Sequence, residues 1–406
     1  MAHVRWSGEG DGFVRYADAL GARVTPSRPA VDGGFDVAVV GLAPGTSARL
    51  TAVTVADGGA TVELPEVEVD VAGASPSLRI VSVAGENDGF VLTHGLTEDV
   101  AEAVVVIDGA GREVWRYPVA LGERILSAEI LPGAVVGFTS APLDADGGIV
   151  GTVHRVALDG SVDEAETIEG LHGGTVATPD GIAYLTRAVD AWDKDELLWD
   201  RVVERTSAGD ERVVFDFREA FLPVETCFHQ RIVVDGRGFF DWTHANSLLI
   251  SPDGATLYVM SRHLDGLFAI DRASGALRWV LGGPYGTLDR GASPPFEHAH
   301  TSWFADGRLW LMDNGNHRGF SRVVGYDVDE GAGTAVSVAV YDEPNRAIVE
   351  LLGDAKPTGH GDLVVSWSTR GRVERLDPDG ASTWSVETAL GVAPGRVTSL
   401  DDLYGR

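Results

Sequence analysis

Cysteine is almost missing from this chain: Cys227 is the only one in 406 residues. That excludes an intramolecular disulfide, removes any reason to require an oxidising compartment, and makes Cys227 read as a core thiol. Lysine is scarce too, with only Lys194 and Lys356 in a chain otherwise rich in arginine. No stretch approaches the roughly 18 uninterrupted apolar residues of a membrane span. Positive charge is short overall, because the formal net charge is −29. Such a charge repels phosphate backbones and anionic lipid, which excludes nucleic acid and membrane surfaces as partners. An anionic small molecule would need a local positive patch. The first thirty residues lack the basic start, apolar centre and small-residue cleavage site of a secretory leader. The expectation is a cytoplasmic protein, or an exported one already trimmed.

Glycine, by contrast, is plentiful at 51 residues, and apolar residues make up 44% of the chain, ten of them Trp. Runs such as VAVVGL, TLYVM and DLVVSW stand between Gly, Asp and Pro clusters and predict many short strands joined by turns. One helical insertion is expected near 190–221, where DAWDKDELLWDRVVERT and FREAFLP carry helix formers with spaced apolar residues. Residues 35–70 alternate apolar and polar across several strands with APGT and DGG as turns, the pattern of a small β-sandwich. The chain therefore divides into an N-terminal sandwich-like domain, 1–76, and a repeat domain, 77–406. The second part allows about 55 residues for each of six repeats, against the roughly 40–45 of compact propeller blades. The fold class is all-β, a six-bladed β-propeller behind a small sandwich.

The repeat is clearest in VVVIDGAGREVWRY (104–117), LFAIDRASGALRWVLGG (267–283) and VERLDPDGASTWSV (373–386). Each gives a strand, an Asp-initiated turn with Gly, and a strand bearing Trp. Trp115, Trp279 and Trp384 are read as packing between repeats. Five histidines, His94, His172, His244, His300 and His360, recur at long intervals just before or at the opening of an expected strand. In a radial array such positions converge on one axis, which predicts a ring of imidazoles around a single pocket.

The most distinctive stretch is DWTHANSLLISPDGATLYVMSRH, residues 241–263. His244 and Asn246 are two apart and would point the same way along a strand, with Arg262 on the neighbouring strand near the same rim. An imidazole, a carboxamide and a guanidinium together suit a tetrahedral oxyanion better than a neutral sugar or an acyl group. DWTHANS, SRH and IDRASGALRWVLGG resemble the bacterial arylsulfate sulfotransferase family, as do LHGGTVATPDG upstream and FEHAHTSW and LMDNGNHRGFSRVVGYDVDE downstream. The resemblance spans roughly 165–345. It implies a six-bladed propeller behind a small β-sandwich, with a sulfuryl group moved from a phenolic sulfate ester to another phenol without a nucleotide donor. In that family a histidine near the channel centre becomes transiently sulfated.

Carried over by position, the resemblance makes His300 the nucleophile and sets His244, Asn246 and Arg262 on the sulfuryl oxygens, with His172 as a further pocket histidine. The family has Gln before its nucleophile and Thr-Ala after it, whereas this chain has Ala299 before and Thr301-Ser302 after. His298, two residues earlier, competes for the same face. His298, His360 and His94 are taken as substrate-binding, and either His172 or His244 as the general acid and base. His263, His317, Arg318 and Arg322 stay outside the core site, and Asp313 and Asn314 can be read as ordering a turn. The chemistry is coherent on its own terms: sulfuryl transfer needs a neutral nucleophile, donors for the equatorial oxygens and a proton path for the phenol. No cofactor is called for.

Three other readings compete. A histidine-lined axis could hold a metal for a lyase, lactonase or oxygenase, although Arg262 is no metal ligand. The Trp-bearing repeat is also similar to that of quinone-dependent dehydrogenases. The third reading is a binding scaffold without turnover.

Overall fold

Turn chemistry explains much of the architecture seen in a computed structural model of the chain, which describes residues 1–73, 76–97, 102–142, 150–192, 195–234, 237–305 and 307–404. At each of the three repeated hairpins an aspartate closes the turn on backbone amides. Asp108 accepts from Ala110 and Arg112, Asp271 from Ser274, and Asp377 from Asp379 and Ala381. Gly111, Gly275 and Gly380 follow with φ of 76°, 73° and 83°, a left-handed backbone that only glycine adopts freely. In each hairpin the register then slips by a residue, so the returning strand twists away with its tryptophan.

The protein is all-β. Among the described residues, six sheets follow two N-terminal ones, and they are antiparallel except where Asp195–Thr206 pairs in parallel with Arg237–Asp241. Their innermost strands are Glu123–Leu131, Leu171–Thr178, Ala245–Ile250, Thr301–Ala305, Asp354–Pro357 and Ala393–Leu400. Each touches the next in that order, and the last touches the first. The ring is closed from both ends of the chain. Ala393–Leu400 pairs with Phe90–Leu96 as the inner strand of the first sheet, and Ile80–Gly85 pairs with Ser382–Thr388 as the outer strand of the last. A small axial cavity is lined by Glu129, Thr175, Ser247, Ser302, Lys356 and Arg396, one residue from each inner strand.

Apolar clusters fill the spaces between neighbouring sheets. Trp279 packs with Leu309, Leu311 and Tyr326 of the following sheet. Trp384 packs with Val91 and Val105 of the sheet beside it, and its indole Nε1 donates to Gly109 O at 2.8 Å. Trp115 lies against the cluster holding Val136 and Phe138. All three serve sheet-to-sheet packing, where large apolar area is removed from water.

The N-terminal part pairs Ala2–Ser7 with Gly34–Val39 and builds a second sheet around Asp11–Asp18 and Ser47–Val55. Its core is formed by Val14, Tyr16, Phe35, Val37, Val39 and Leu50. Near the C-terminus, Tyr404 ties this part to the ring: its hydroxyl accepts from Val40 N and lies 3.2 Å from the Tyr16 hydroxyl.

The helical insertion expected near 190–221 is instead a long hairpin of Gly181–Trp192 and Asp195–Thr206, and among the described residues there only Phe217–Ala220 is α-helical. Leu197, Leu198, Trp199, Val202 and Val203 are buried in that hairpin. Partners distant in sequence outweigh the local helix preference of DKDELL.

Candidate active site

Two elements of backbone irregularity bring the polar residues to the axis. His172, Gly173 and Gly174 fall in a register break between Leu171 and Thr175, and Asn246 in one between Ala245 and Ser247. Bulges of this kind re-aim side chains next to sites. The expected strand alternation of His244 and Asn246 does not apply, because His244 precedes its strand and has φ of 42°. Asp265 and His298 share this left-handed conformation at 49° and 50°. Three such non-glycine residues in one neighbourhood are a strained cluster of the sort found at functional sites.

A buried network fixes two of the imidazoles. His172 Nδ1 donates to Asp200 Oδ1 at 2.7 Å, and its Nε2 accepts from Arg187 at 2.7 Å. Asp200 is held in turn by Thr243 Oγ1 at 2.6 Å and Ala245 N at 2.7 Å. His244 Nδ1 donates to Asp241 Oδ2 at 2.5 Å, and Arg187 lies 3.5 Å from the other oxygen of Asp241. Burial alone would raise the Asp241 carboxyl, but Arg187, His244 and His263 outweigh it and hold it well below the usual carboxylate range. The rings of His172 and His244 meet edge to face at 5.4 Å. Burial, opposed by Asp241, leaves His244 below the ordinary imidazole value.

His300 is buried in the same region. Its Nδ1 donates to Gly353 O at 3.2 Å, so the lone pair sits on Nε2. Burial lowers its pKa well below the ordinary value, with Arg396, Arg262 and His244 adding to the effect. His300 is therefore a neutral imidazole at neutral pH.

The two guanidiniums have an unusual environment. Arg262 is 7% and Arg396 8% exposed, yet neither forms an ion pair with a carboxylate among the described residues. Arg262 Nη1 donates to His263 Nε2 at 3.2 Å, and Arg396 Nη2 to Asn246 O at 2.8 Å. Asn246 Nδ2 and Arg396 Nε are buried without an acceptor. Buried cations and donors without acceptors are costly, and a bound anion would satisfy them.

Asp241, His244 and His263 place ligand atoms within 4.8 Å of one another, a spacing open to a metal. The donor set argues against it. His263 spends Nδ1 on Asp241 O and Nε2 on Arg262, and Arg187 stands beside the Asp241 carboxylate. Two guanidiniums next to a cation would oppose its binding.

The remaining sequence candidates lie elsewhere. His360 does not open a strand; it sits in the turn between Asp354–Pro357 and Leu363–Ser366, with its side chain 61% exposed and 3.2 Å from Asp401. His94 lies within Phe90–Leu96, one strand out from the axis, where Nε2 accepts from Arg396 N at 3.0 Å. Burial drops its pKa to about 3. Neither occupies the ring position that the shared spacing suggested, because local context gives no strand offset. His298 is fully buried, with neither ring nitrogen partnered, and faces His229, His263 and His317. Asp313 and Asn314 are scaffold. Asp313 binds Arg318 and Arg322, and the Asn314 amide donates to Val349 O and Leu352 O.

Sequence reasoning passed over Arg187, Asp200, Asp241 and Arg396. Asp241 was detectable as a carboxylate three residues before His244. The other three stand within strands that carry no local mark.

An all-β, propeller-like protein whose axis gathers neutral imidazoles, a carboxamide and unpaired guanidiniums is built to handle a buried anion. The family described as Arylsulfotransferase (ASST) matches residues 82–372, well over half of the chain, and the protein belongs to that family. Membership brings sulfotransferase activity, with small aryl sulfates and phenols as the family's substrates. No curated protein matches. Among solved structures, a streptogramin B lyase aligns at 13% identity and a TM-score of 0.44 over 80% of this chain and 88% of its own. The periplasmic gluconolactonase PpgL of Pseudomonas aeruginosa aligns at 12% and 0.43 over 76% and 99%. A putative 6-phosphogluconolactonase of Bacteroides fragilis aligns at 13% and 0.40 over 97% and 98%.

Proposed function

We propose that this protein transfers a sulfuryl group from an aryl sulfate to a phenol by a ping-pong reaction through sulfated His300, without a nucleotide donor. The ring of inner strands is read as a six-bladed propeller spanning 77–406, and residues 1–76 as a small β-sandwich. The observation that carries the reading is the pair of buried guanidiniums, Arg262 and Arg396, that act on His300 and form no ion pair with a carboxylate among the described residues.

His300 Nε2 attacks sulfur, the N–S bond forms, and the S–O bond to the aryl group breaks, releasing the aryl oxide. Gly353 O keeps the Nδ1 proton and thereby the reactive tautomer. Arg262 and Asn246 bear the charge on the sulfuryl oxygens as it redistributes, the role in which preorganised donors are strongest. In the second half-reaction His244 Nε2 takes the proton of the acceptor phenol, whose oxygen attacks sulfur as the N–S bond breaks, and His244 then gives that proton to solvent, where it balances the aryl oxide released earlier. His244 suits this role because Asp241 anchors its Nδ1 and stabilises the imidazolium that forms. His172 is less suited, with both nitrogens engaged by Asp200 and Arg187.

The test is nitrophenolate release from 4-nitrophenyl sulfate with and without phenol, in the wild type and His300→Asn. Acceptor-dependent release that is lost in the variant, with the sulfate label mapped to His300 in wild type trapped without acceptor, supports the reading. A label on His298 moves the nucleophile, and a wild type silent across a panel of phenols refutes aryl sulfate transfer.

A further inference from the structure

The only cysteine in the chain stands among three histidines at the edge of the axial site. Cys227, His298 and His317 place Sγ and a ring nitrogen each within 4.8 Å of one another. His229 adjoins them, its ring centroid 5.0 Å from that of His298 and 6.2 Å from that of His317. The decisive feature is hydrogen bonding. His298 is fully buried with both ring nitrogens unpartnered, and His229 Nδ1 is buried without a partner as well. Buried imidazole nitrogens ordinarily find a donor or acceptor, so three left open in one place call for a ligand.

The surroundings hold these groups rigidly. Gln230 is fully buried, and its Oε1 accepts from Cys227 N at 3.1 Å and Thr226 N at 2.6 Å. Its Nε2 donates to Trp242 O at 3.0 Å. Asp265 Oδ1 accepts from His298 N at 2.6 Å and steadies the left-handed backbone there. Glu297 accepts from the backbone amides of His317 and Arg318. These bonds fix the backbone from which Cys227, His298 and His317 project, and the Asp265 and Glu297 carboxyl groups lie beside it. Thiolate plus imidazoles in a compact set is the donor chemistry of tetrahedral zinc.

We propose that Cys227, His298 and His317, with His229 as the fourth donor, bind a zinc ion at the rim of the axial site. Binding displaces the Cys227 thiol proton to solvent and forms the Zn–S bond, with no change of oxidation state. The ion would staple the Thr226–Gln230 segment to the loop that carries His317. Its ligands differ from the imidazoles of the sulfuryl site, which are spent on Asp200, Asp241 and Gly353; Arg262 acts on both groups, and the Cys227 thiolate, which the Asp241 cluster lacks, offsets its charge.

The test uses the full-length protein, stripped with a chelator and titrated with Co²⁺ as a spectroscopic stand-in. The expected result is one equivalent bound, with tetrahedral visible bands and a thiolate-to-cobalt charge-transfer absorption that Zn²⁺ abolishes. Cys227→Ser should lose the charge-transfer band, and His298→Asn and His317→Ala should each weaken affinity by about 100-fold or more, beyond the loss typical of a supporting residue. His317 is exposed, so its variant is the one least prone to misfold, and it keeps the result interpretable. An unchanged cobalt spectrum in Cys227→Ser, wild-type affinity in His317→Ala, or no stoichiometric binding by wild type would each overturn the proposal. Binding that survives Cys227→Ser but is lost in His263→Gln would place the metal at the Asp241 cluster and overturn it equally.

Discussion

His244 Nδ1 lies 2.5 Å from Asp241 Oδ2, a carboxylate three residues upstream that also faces Arg187 and His263. The contact fixes the tautomer of His244 and leaves Nε2 for proton transfer. A buried carboxylate that two neighbouring imidazoles and a guanidinium keep ionised is an effective counter-ion for an imidazolium formed during turnover.

Asp241→Asn should therefore separate the two half-reactions. The variant keeps a hydrogen-bonding group of the same shape but loses the charge, so the burst of nitrophenolate expected from the proposed sulfation of His300 should persist. Acceptor-dependent turnover should fall by about 10²- to 10⁴-fold, the range of general base catalysis. Stopped-flow comparison of burst and steady state checks it. Loss of the burst in step with turnover would remove His244 from its assigned role.

Arg262 should resist replacement by lysine. It is buried, with no ion-paired carboxylate among the described residues, and the planar guanidinium offers paired donors that an ammonium cannot reproduce. Arg262→Lys should lower kcat by about 10²- to 10³-fold with a smaller change in KM, as expected for a donor used in the transition state. Steady-state kinetics with 4-nitrophenyl sulfate distinguishes this from simple ground-state binding, in which KM alone would rise.

Much of this site was readable from local residues, and what was missed follows a physical pattern. The Asp108, Asp271 and Asp377 turns were legible because an aspartate closing on amides two to four residues ahead is wholly local chemistry. His172, His244, Asn246, Arg262 and His300 were named as candidates through the segments around them, and the fold brings His172, His244, Arg262 and His300 into one neighbourhood. Arg187 and Arg396 were not: Arg187 comes from the strand beside His172 with no local mark, and Arg396 meets the site only when the ring closes. His360 was misplaced for the converse reason: the Gly-rich context around it describes a turn as well as a strand start. The 190–221 region misled because helix-forming residues there are committed to a partner strand.

Trp384 offers a test of the closure itself. Its side chain is 1% exposed and joins the last sheet to the first, with Nε1 bonded to Gly109 O. Trp384→Ala should destabilise the protein by about 3–5 kcal/mol, measured as a lowered denaturation midpoint. Sulfuryl transfer in the remaining folded fraction should change little, because the residue lies outside the axial network. A midpoint within error of wild type would show that the first and last sheets do not depend on this contact.

The pH behaviour follows from the depressed imidazoles, and its sign can be worked out. A histidine whose folded pKa is lowered stays neutral as pH falls through 6.5, whereas in the unfolded chain it takes up a proton there. For activity, His300 and His244 both lie below the ordinary value, so the acid limb of kcat/KM should fall below pH 6.5. For stability, His94 is held near 3 by burial. Between about pH 6.5 and 3 the unfolded state binds protons that the folded state does not, so stability should decline steadily as pH drops across that window. His94→Gln retains an acceptor for Arg396 N but cannot titrate, and the decline should be shallower in that variant. Urea denaturation at a series of pH values, with kcat/KM measured in parallel, checks both. An acid limb centred on 6.5 would mean that the nucleophile is an ordinary solvated imidazole, and the burial that sets the chemistry of His300 would have to be abandoned.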